Sequence, residues 1–325
     1  MSQELNNTPE ICFGKNPTDI PHSPISIKSA DPDALELKVF FHSFYGFNGN
    51  STLICGKRDA ILVSTTFLKS DAHRLVANIL ETGLNLTHVI IPEFHPDHHF
   101  CSQIVQDAFP ETKIVAMQSV TRDVVYSADD KVQLWGRLFG KNVPDRLHFP
   151  MPLTSGHLEI EGHAIELSDG WQADQANETL VWIPSLRAAI PSDTVFYQGH
   201  PWMIESDAPR RLLWREDLKK LRGMDPLIVI PGHCAPEKFN TDPDTVINFM
   251  LDYIDDFDKA LAQAKTGDDL VNYMENCYPG MYALLFCLHW QARFAFPDNC
   301  SDRITPIPGI FHTVVTNESG ETVYV

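Results

Sequence analysis

Regular alternation of apolar and polar positions begins at Leu37. The runs 39–43, 51–55 and 60–64 are short and β-rich, separated by Gly and Asn turns, which predicts the hairpin-rich start of a sheet. A helix is predicted next, with Ser70 as its N-cap, Leu75, Val76, Ile79 and Leu80 as its apolar face, and Gly83 as its stop. Residues 87–92 are apolar on both faces, as in a strand covered on both sides, and run directly into Glu93-Phe94-His95-Pro96-Asp97-His98-His99. A short helix through Ile104 and Val105 and a strand at 113–116 complete strand, crossover and strand units of an α/β sheet.

The second half follows the same sense. Runs 158–160 and 164–167 flank Glu161-Gly162 as a hairpin, 180–183 and 188–190 form a further pair of strands, and Asp193 follows immediately. Ser206 is the expected cap of a helix carrying Leu212, Leu213, Leu218 and Leu221, which leads into Leu227-Ile228-Val229-Ile230-Pro231-Gly232-His233. Each half thus contains a buried strand that ends in Ile-Pro ahead of a side chain able to bind metal, as two pseudo-equivalent βα halves would. Beyond Lys238, Val246, Phe249, Met250, Ile254, Phe257, Leu261 and Ala264 recur at helical spacing among Asp252, Asp255, Asp256 and Asp258, an acidic amphipathic helix. The aromatic residues Tyr278, Tyr282, Phe286, Trp290, Phe294 and Phe296 are expected either to close over the pocket or to bury a subunit interface; the interface, and hence a homodimer, is the favoured expectation. The organisation read from this pattern is an extended arm at 1–35, a fold domain at 36–240, and a helical, aromatic C-terminal extension at 241–325.

Composition narrows the classes. Of 325 residues, 43% are hydrophobic and 21% charged, which excludes a disordered or collagen-like chain. No apolar run approaches the ~20 residues of a membrane helix, and no basic start with an apolar stretch marks export, so a cytoplasmic location and no membrane partner are expected. The net charge of −18 argues against nucleic acid, since phosphate contacts need clustered Lys and Arg. The dense basic stretch Arg210, Arg211, Arg215, Lys219, Lys220 and Arg222 is read as a solvated helix face. The 7 cysteines show no C-x-x-C spacing and are expected to be reduced and mostly buried. No G-x-S-x-G elbow, P-loop or G-x-G-x-x-G follows a strand.

Chemistry concentrates at the strand ends. A tight loop after a strand directs several side chains at one point, and imidazole with carboxylate suits zinc, iron or manganese. His95, Asp97, His98, Asp193 and His233 all follow buried strands, at the sheet end where open α/β sheets bind ligands.

From about 41 to 237 the chain resembles the metallo-β-lactamase superfamily, whose signature is H-x-H-x-D-H, then His, then Asp, then Gly-His. Here these read Glu93-Phe94-His95-Pro96-Asp97-His98, Ser192-Asp193-Thr194-Val195-Phe196 and Pro231-Gly232-His233. The resemblance implies a four-layer αββα sandwich with a metal site at one edge, followed here by the C-terminal helical extension. The chain departs from the pattern at three points. Glu93 replaces the first His; no His lies near 170–174, which leaves Glu93, His95 and Asp174 for the first site; and Ser64 stands where the superfamily usually has an Asp. The second site keeps Asp97, His98, Asp193 and His233, so one zinc is expected there, with two as the alternative. His95, with partners lost, is expected either to act as a general base or to orient water, beside a catalytic Asp97, or else to support Asp97 and His98 by hydrogen bonding, and His99 is expected to be structural. Trp171, His200 and Trp202 are expected to contact the substrate.

The activity implied is that of a zinc-dependent hydrolase, in which metal-bound hydroxide attacks an electrophilic carbon of a small organic ester, lactone, thioester or amide. An alternative is a hydrolytic dehalogenase of an activated halogenated aromatic, the chlorothalonil type with a single zinc. From other classes come a di-iron oxygen-using enzyme, toward which Glu93 points, and a non-catalytic binding protein.

Overall fold

The computed structural model describes residues 23–305 and the backbone of 314–316 and 322–324. Its first sheet runs in chain order: β1 (Ile25–Ile27), β2 (Glu36–Phe41), β3 (Asn50–Cys55), β4 (Asp59–Val63), β5 (Asn85–Ile90), β6 (Lys113–Met117) and β7 (Met151–Leu153). The β1–β4 pairings are antiparallel, and β4 to β7 pair in parallel through crossovers. The second sheet has the order β12-β11-β10-β9-β8, from β8 (His157–Ile160), β9 (His163–Trp171), β10 (Glu178–Ile183), β11 (Ala188–Ile190) and β12 (Ile228–Val229). A last antiparallel pair joins β13 (Val314–Thr316) to β14 (Thr322–Tyr324).

Inner and outer faces explain the strand sequences. Leu37, Val39, Ile54, Ile61 and Val63 of the first sheet pack against Ile165, Val181, Ile183 and Ile190 of the second. The intervening residues Phe40, Leu53, Ala60 and Leu62 point outward and are covered by α1 (Lys69–Thr82), which follows β4. Both faces are therefore apolar, as a sheet covered on both sides requires. After α2 (Pro96–His99) come α3 (Ser102–Ala108) and α4 (Gln118–Phe139), whose early residues Val120 and Val124 join that outer layer. The outer face of the second sheet is covered by α5 (Ala208–Gly223), α6 (Pro243–Gln263), α7 (Gly267–Cys277) and α8 (Leu285–Ala295). Two sheets thus lie between two helical layers. No described helix is long and apolar enough to cross a membrane.

Several local expectations change. The helix stop at Gly83 is there, in the left-handed region (φ 70°) with its N–H on the Leu80 carbonyl. The N-cap is Leu68 rather than Ser70, because Asn142 Oδ1 accepts from the Ser70 N–H and replaces a side-chain cap. Asp207, not Ser206, caps α5: its carboxylate accepts from the Arg210 N–H, while Ser206 Oγ donates to the Met203 carbonyl. The buried face of α5 is also rotated from the one expected. Leu212 and Leu213 are exposed, and Arg211, Trp214, Leu218 and Leu221 are buried. Arg211 and Arg215 are not a solvated face but pair with Asp258, and Arg215 also with Asp255, across the α5–α6 seam.

The helical extension is part of the same core. Phe286 and Trp290, assigned above to a subunit interface, are buried within the chain, with Phe286 5.1 Å from Phe47 and Trp290 stacked 6.3 Å from Trp135. Tyr278 packs 5.0 Å from Tyr253 and bonds to Asp256. The second sheet leaves an apolar outer face that only these helices cover, so the aromatics are used at home. Of the expected arm, 25–27 is β1, and residues 1–22 lie outside the described residues.

Candidate metal centre

All candidate ligands stand beyond the C-terminal ends of four strands. Glu93, His95, Asp97 and His98 follow β5; Asp174 follows β9; Asp193 follows β11; His233 follows β12. Pro96 at the first position of α2 pre-sets its backbone, so Asp97 and His98 fall in one tight turn. The turn is fixed from below, since Thr65 N–H bonds to the His98 carbonyl and Cys101 N–H to that of Thr66. Gly232 is required by close approach: a Cβ there would lie 2.4 Å from Asp193 Oδ1 and 2.7 Å from the Ser192 carbonyl oxygen. The two sheets are joined at this edge by Thr179 N–H on the Pro92 carbonyl and by Ser192 Oγ on Glu93 Oε1 at 3.0 Å.

Two sets of donors result. Asp97, His98 and His233 form one, and Glu93, His95, Asp174 and Asp193 the other; within each set the ligand atoms lie within 4.8 Å of one another, and all seven side chains are buried. Asp193 reaches both, with Oδ1 3.2 Å from His98 Nε2 and Oδ2 3.2 Å from His233 Nε2. Glu93 spans them as well, with Oε2 2.8 Å from His95 Nδ1 and Oε1 3.1 Å from His98 Nε2. His98 Nε2, Asp193 Oδ1, Glu93 Oε2 and Asp174 Oδ1 make no aligned hydrogen bond despite their burial. Such atoms converge on points between them, as ligands to a cation do, and leaving them unmatched costs about 1–3 kcal/mol each.

The far nitrogens orient the rings. His95 Nε2 lies 2.7 Å from Glu205 Oε2, His98 Nδ1 3.0 Å from Ser64 Oγ, and His233 Nδ1 donates to the Phe47 carbonyl at 2.8 Å. Each ring therefore presents its other nitrogen to the cluster, the arrangement of metal-binding imidazoles. Trp202 Nε1 donates to Glu205 Oε2 at 3.1 Å and holds that carboxylate in turn. Phe196 stacks on His233 at 4.9 Å.

The charges also call for a cation. Burial opposes the Asp97 carboxylate, but His98 and His233 outweigh it and hold the group well below the usual range; His233 and His98 do the same for Asp193. Burial likewise opposes the His98 imidazolium, yet Glu93, Asp193 and Asp97 push it up to about 9; Asp193 and Asp97 also raise His233. Asp174 and Glu178 are pushed well above the carboxylate range, chiefly by burial, with Glu93 adding to it. Carboxyls are in excess here, so protons occupy sites that a divalent ion would take. The mixed imidazole and carboxylate donors fit zinc, iron or manganese.

Seven sequence-predicted ligands thus meet, with Asp193 shared rather than confined to the second site. Ser64 supports His98 directly. His99 donates to the Phe94 carbonyl, and burial lowers it to about 3, so it is a neutral support. His95 turns one nitrogen to Glu93 and Asp174 and the other to Glu205, which places it among the ligand donors. Trp202 lines the adjoining cavity, but Trp171 and His200 do not. Trp171 is buried under Lys220 with its N–H on Ser168, and His200 is held between the Tyr253 hydroxyl and the Met281 carbonyl. The cavity, about 710 Å³ out to its mouth, is walled by Phe47, Leu134, Trp135, Leu284 and Phe286 beside the ligands. Glu205, Lys131 and this wall carry no sequence motif, and no pattern along the chain signals them.

No family model matches the chain, and no curated protein does. Among solved structures it is similar to a metallo-β-lactamase from Pontibacter korlensis (TM-score 0.52, 14% identity, 71% of this chain and 99% of that one). A metallo-β-lactamase family protein from Thermus thermophilus matches over 82% of this chain and 90% of its own, with TM-score 0.52 and 14% identity. The DIM-1 metallo-β-lactamase matches with TM-score 0.51 at 15% identity over 73% of this chain and 99% of its own. The chain has the metallo-β-lactamase fold, with a buried His, Asp and Glu cluster suited to metal at its ligand edge.

Proposed function

We propose that this protein is a metal-dependent hydrolase acting on an electrophilic carbon of a small organic molecule. The observation that carries this reading is the convergence of seven buried donors, with ring tautomers fixed from behind, of which His95, Asp97, Asp174, Asp193 and His233 line one cavity opposite an apolar wall. Asp97, His98 and His233 would hold zinc, and Glu93, His95, Asp174 and Asp193 a second divalent cation. Two cations rather than the single zinc expected from the motif are supported by the completeness of the second donor set and by the position of Asp193 between them. The metal supplies Lewis acidity and lowers the pKa of water bound to it.

The chain's own groups do the rest. Glu205, Ser64 and the Phe47 carbonyl keep His95, His98 and His233 in one tautomer. Asp97 lines the cavity with Oδ2 3.1 Å from His233 Nε2 and, held as a carboxylate well below the usual range by His98 and His233, would serve the site as an anionic ligand. Phe47, Trp135 and Phe286 exclude water and bind the apolar part of the substrate.

The test is metal content of protein purified without added metal, together with a panel of aryl esters, lactones, thioesters, β-lactams and halogenated aromatics. Zinc at one to two per chain, with turnover abolished by chelation, is the expected result. Two irons with oxygen consumption, or no metal at all, overturns it.

A further inference from the structure

Lys131 lies on the cavity side of α4. On α5, Arg211 and Arg215 are committed to the Asp258 carboxylate, and Lys220 lies over Trp171. Lys131 has the Phe94 ring 4.0 Å from its ammonium, and no carboxylate among the described residues lies within ion-pair distance of it. It lines the same cavity as His95, Asp97 and Asp193, and among the described residues it is the only Lys or Arg in that lining. Away from the ligands and Glu205 the lining is apolar except for Asp130: Phe47, Leu134, Trp135, Leu284 and Phe286, with the Trp202 indole committed to Glu205. A cation on this wall, seated on an aromatic ring beside the ligands yet without an ion-pair partner, leaves its three N–H donors for a group that enters from solvent.

We propose that Lys131 reads a singly charged anionic group, a carboxylate, on a substrate whose body is apolar or aromatic. One ammonium without a guanidinium fork matches one negative charge better than a phosphate dianion. The apolar body fills the space between Trp135 and Phe286 while the anion lies toward Lys131, which turns the scissile bond to the ligand wall. The inference rests on the proposed hydrolase reading and specifies its substrate class. It accounts for a lysine held next to an acidic cluster, where a mere counter-charge would sit in contact with a carboxylate.

The test compares 2-naphthoate with its neutral isostere 2-naphthamide, as reversible ligands of the metal-loaded full-length protein measured by titration calorimetry. Wild type is expected to bind naphthoate roughly tenfold more tightly, the range of one charge-assisted contact. Lys131→Met should reduce that preference to within about twofold, and Lys131→Arg should retain part of it. Equal binding of the two probes by wild type, or no binding of either, overturns the proposal, as does a naphthoate preference that survives in Lys131→Met and so belongs to the metal. Loss of metal from a folded Lys131→Met variant makes the lysine a counter-charge for the ligands and also overturns it. Metal content measured on the same preparations keeps the two readings apart. Wild type without metal sinks the hydrolase, whereas metal-loaded wild type without the preference sinks only the substrate class.

Discussion

The two sides of the cavity are built by different means. The ligand wall comes from four tight turns at strand ends, each carrying its chemistry within a few residues: 93–98, 174, 193 and 233. The opposite wall comes from the second half of α4 and from the start of α8, far apart in the chain and joined by packing of Trp135 and Phe286 on Phe47 and of Trp290 on Trp135 and Phe286. Polar ligand positions tolerate little displacement, because each donor must meet a common point, whereas an apolar wall needs only shape and volume. The contrast separates reaction from specificity: the strand ends would fix what is done, and the helices to what it is done.

Asp193→Ala should break the comparison most severely. Its two oxygens lie 3.2 Å from His98 and from His233, and it belongs to the donor set of Glu93, His95 and Asp174. Loss of both metals and of detectable turnover is expected, with far-ultraviolet circular dichroism unchanged; one full metal equivalent retained in the variant would show that the sets are independent. A smaller effect is expected at Glu205, which touches His95 only at the far nitrogen. Glu205→Ala should weaken binding of one metal equivalent about 10- to 100-fold, as removal of partners behind a ligand does elsewhere, and leave the other equivalent in place. Competition with a chelator of graded affinity reads this directly, and equal weakening of both equivalents would refute the assignment of His95 to one set.

The same division governs what could be read from sequence. The ligands were legible because a buried strand followed by His, Asp or Glu is a local signal, and Gly232 and Pro96 mark the turns that aim them. Asp174 was legible only as a substitute where a His was missing. Helix α4 gave no signal, since its buried residues Val120, Val124, Ala128, Leu134 and Trp135 are diluted by exposed Val125 and Tyr126 and by charged neighbours. Helix α5 misled because Arg211 is buried through its ion pair with Asp258 while Leu212 and Leu213 face solvent. Periodicity counts apolar residues and cannot see a buried guanidinium, whose place is set by a partner 47 positions away. The aromatic tail was recognised, with closure over the pocket and a subunit interface both open and the interface preferred, because one sequence does not say which apolar face an appended helix covers.

His200 tests where the boundary between the two walls falls. Rather than touching substrate, as its place in the sequence suggests, it anchors the segment that shapes the helical wall. Its backbone N–H bonds to the Ala283 carbonyl, its Nε2 donates to the Met281 carbonyl, and its Nδ1 accepts from the Tyr253 hydroxyl. Burial lowers the imidazole to about 4, so it stays neutral at working pH and keeps both roles. Leu284, next along the chain and left-handed at φ 58°, then faces the cavity with Phe286 and Cys287. His200→Ala removes two side-chain bonds and none of the ligands. The expected result is a KM raised a fewfold with kcat and metal content near wild type, because a looser wall alters apolar fit before it alters the reacting geometry. A fall in kcat at unchanged KM, or loss of metal, would mean that the wall also positions the ligands and that the two sides are one mechanical unit.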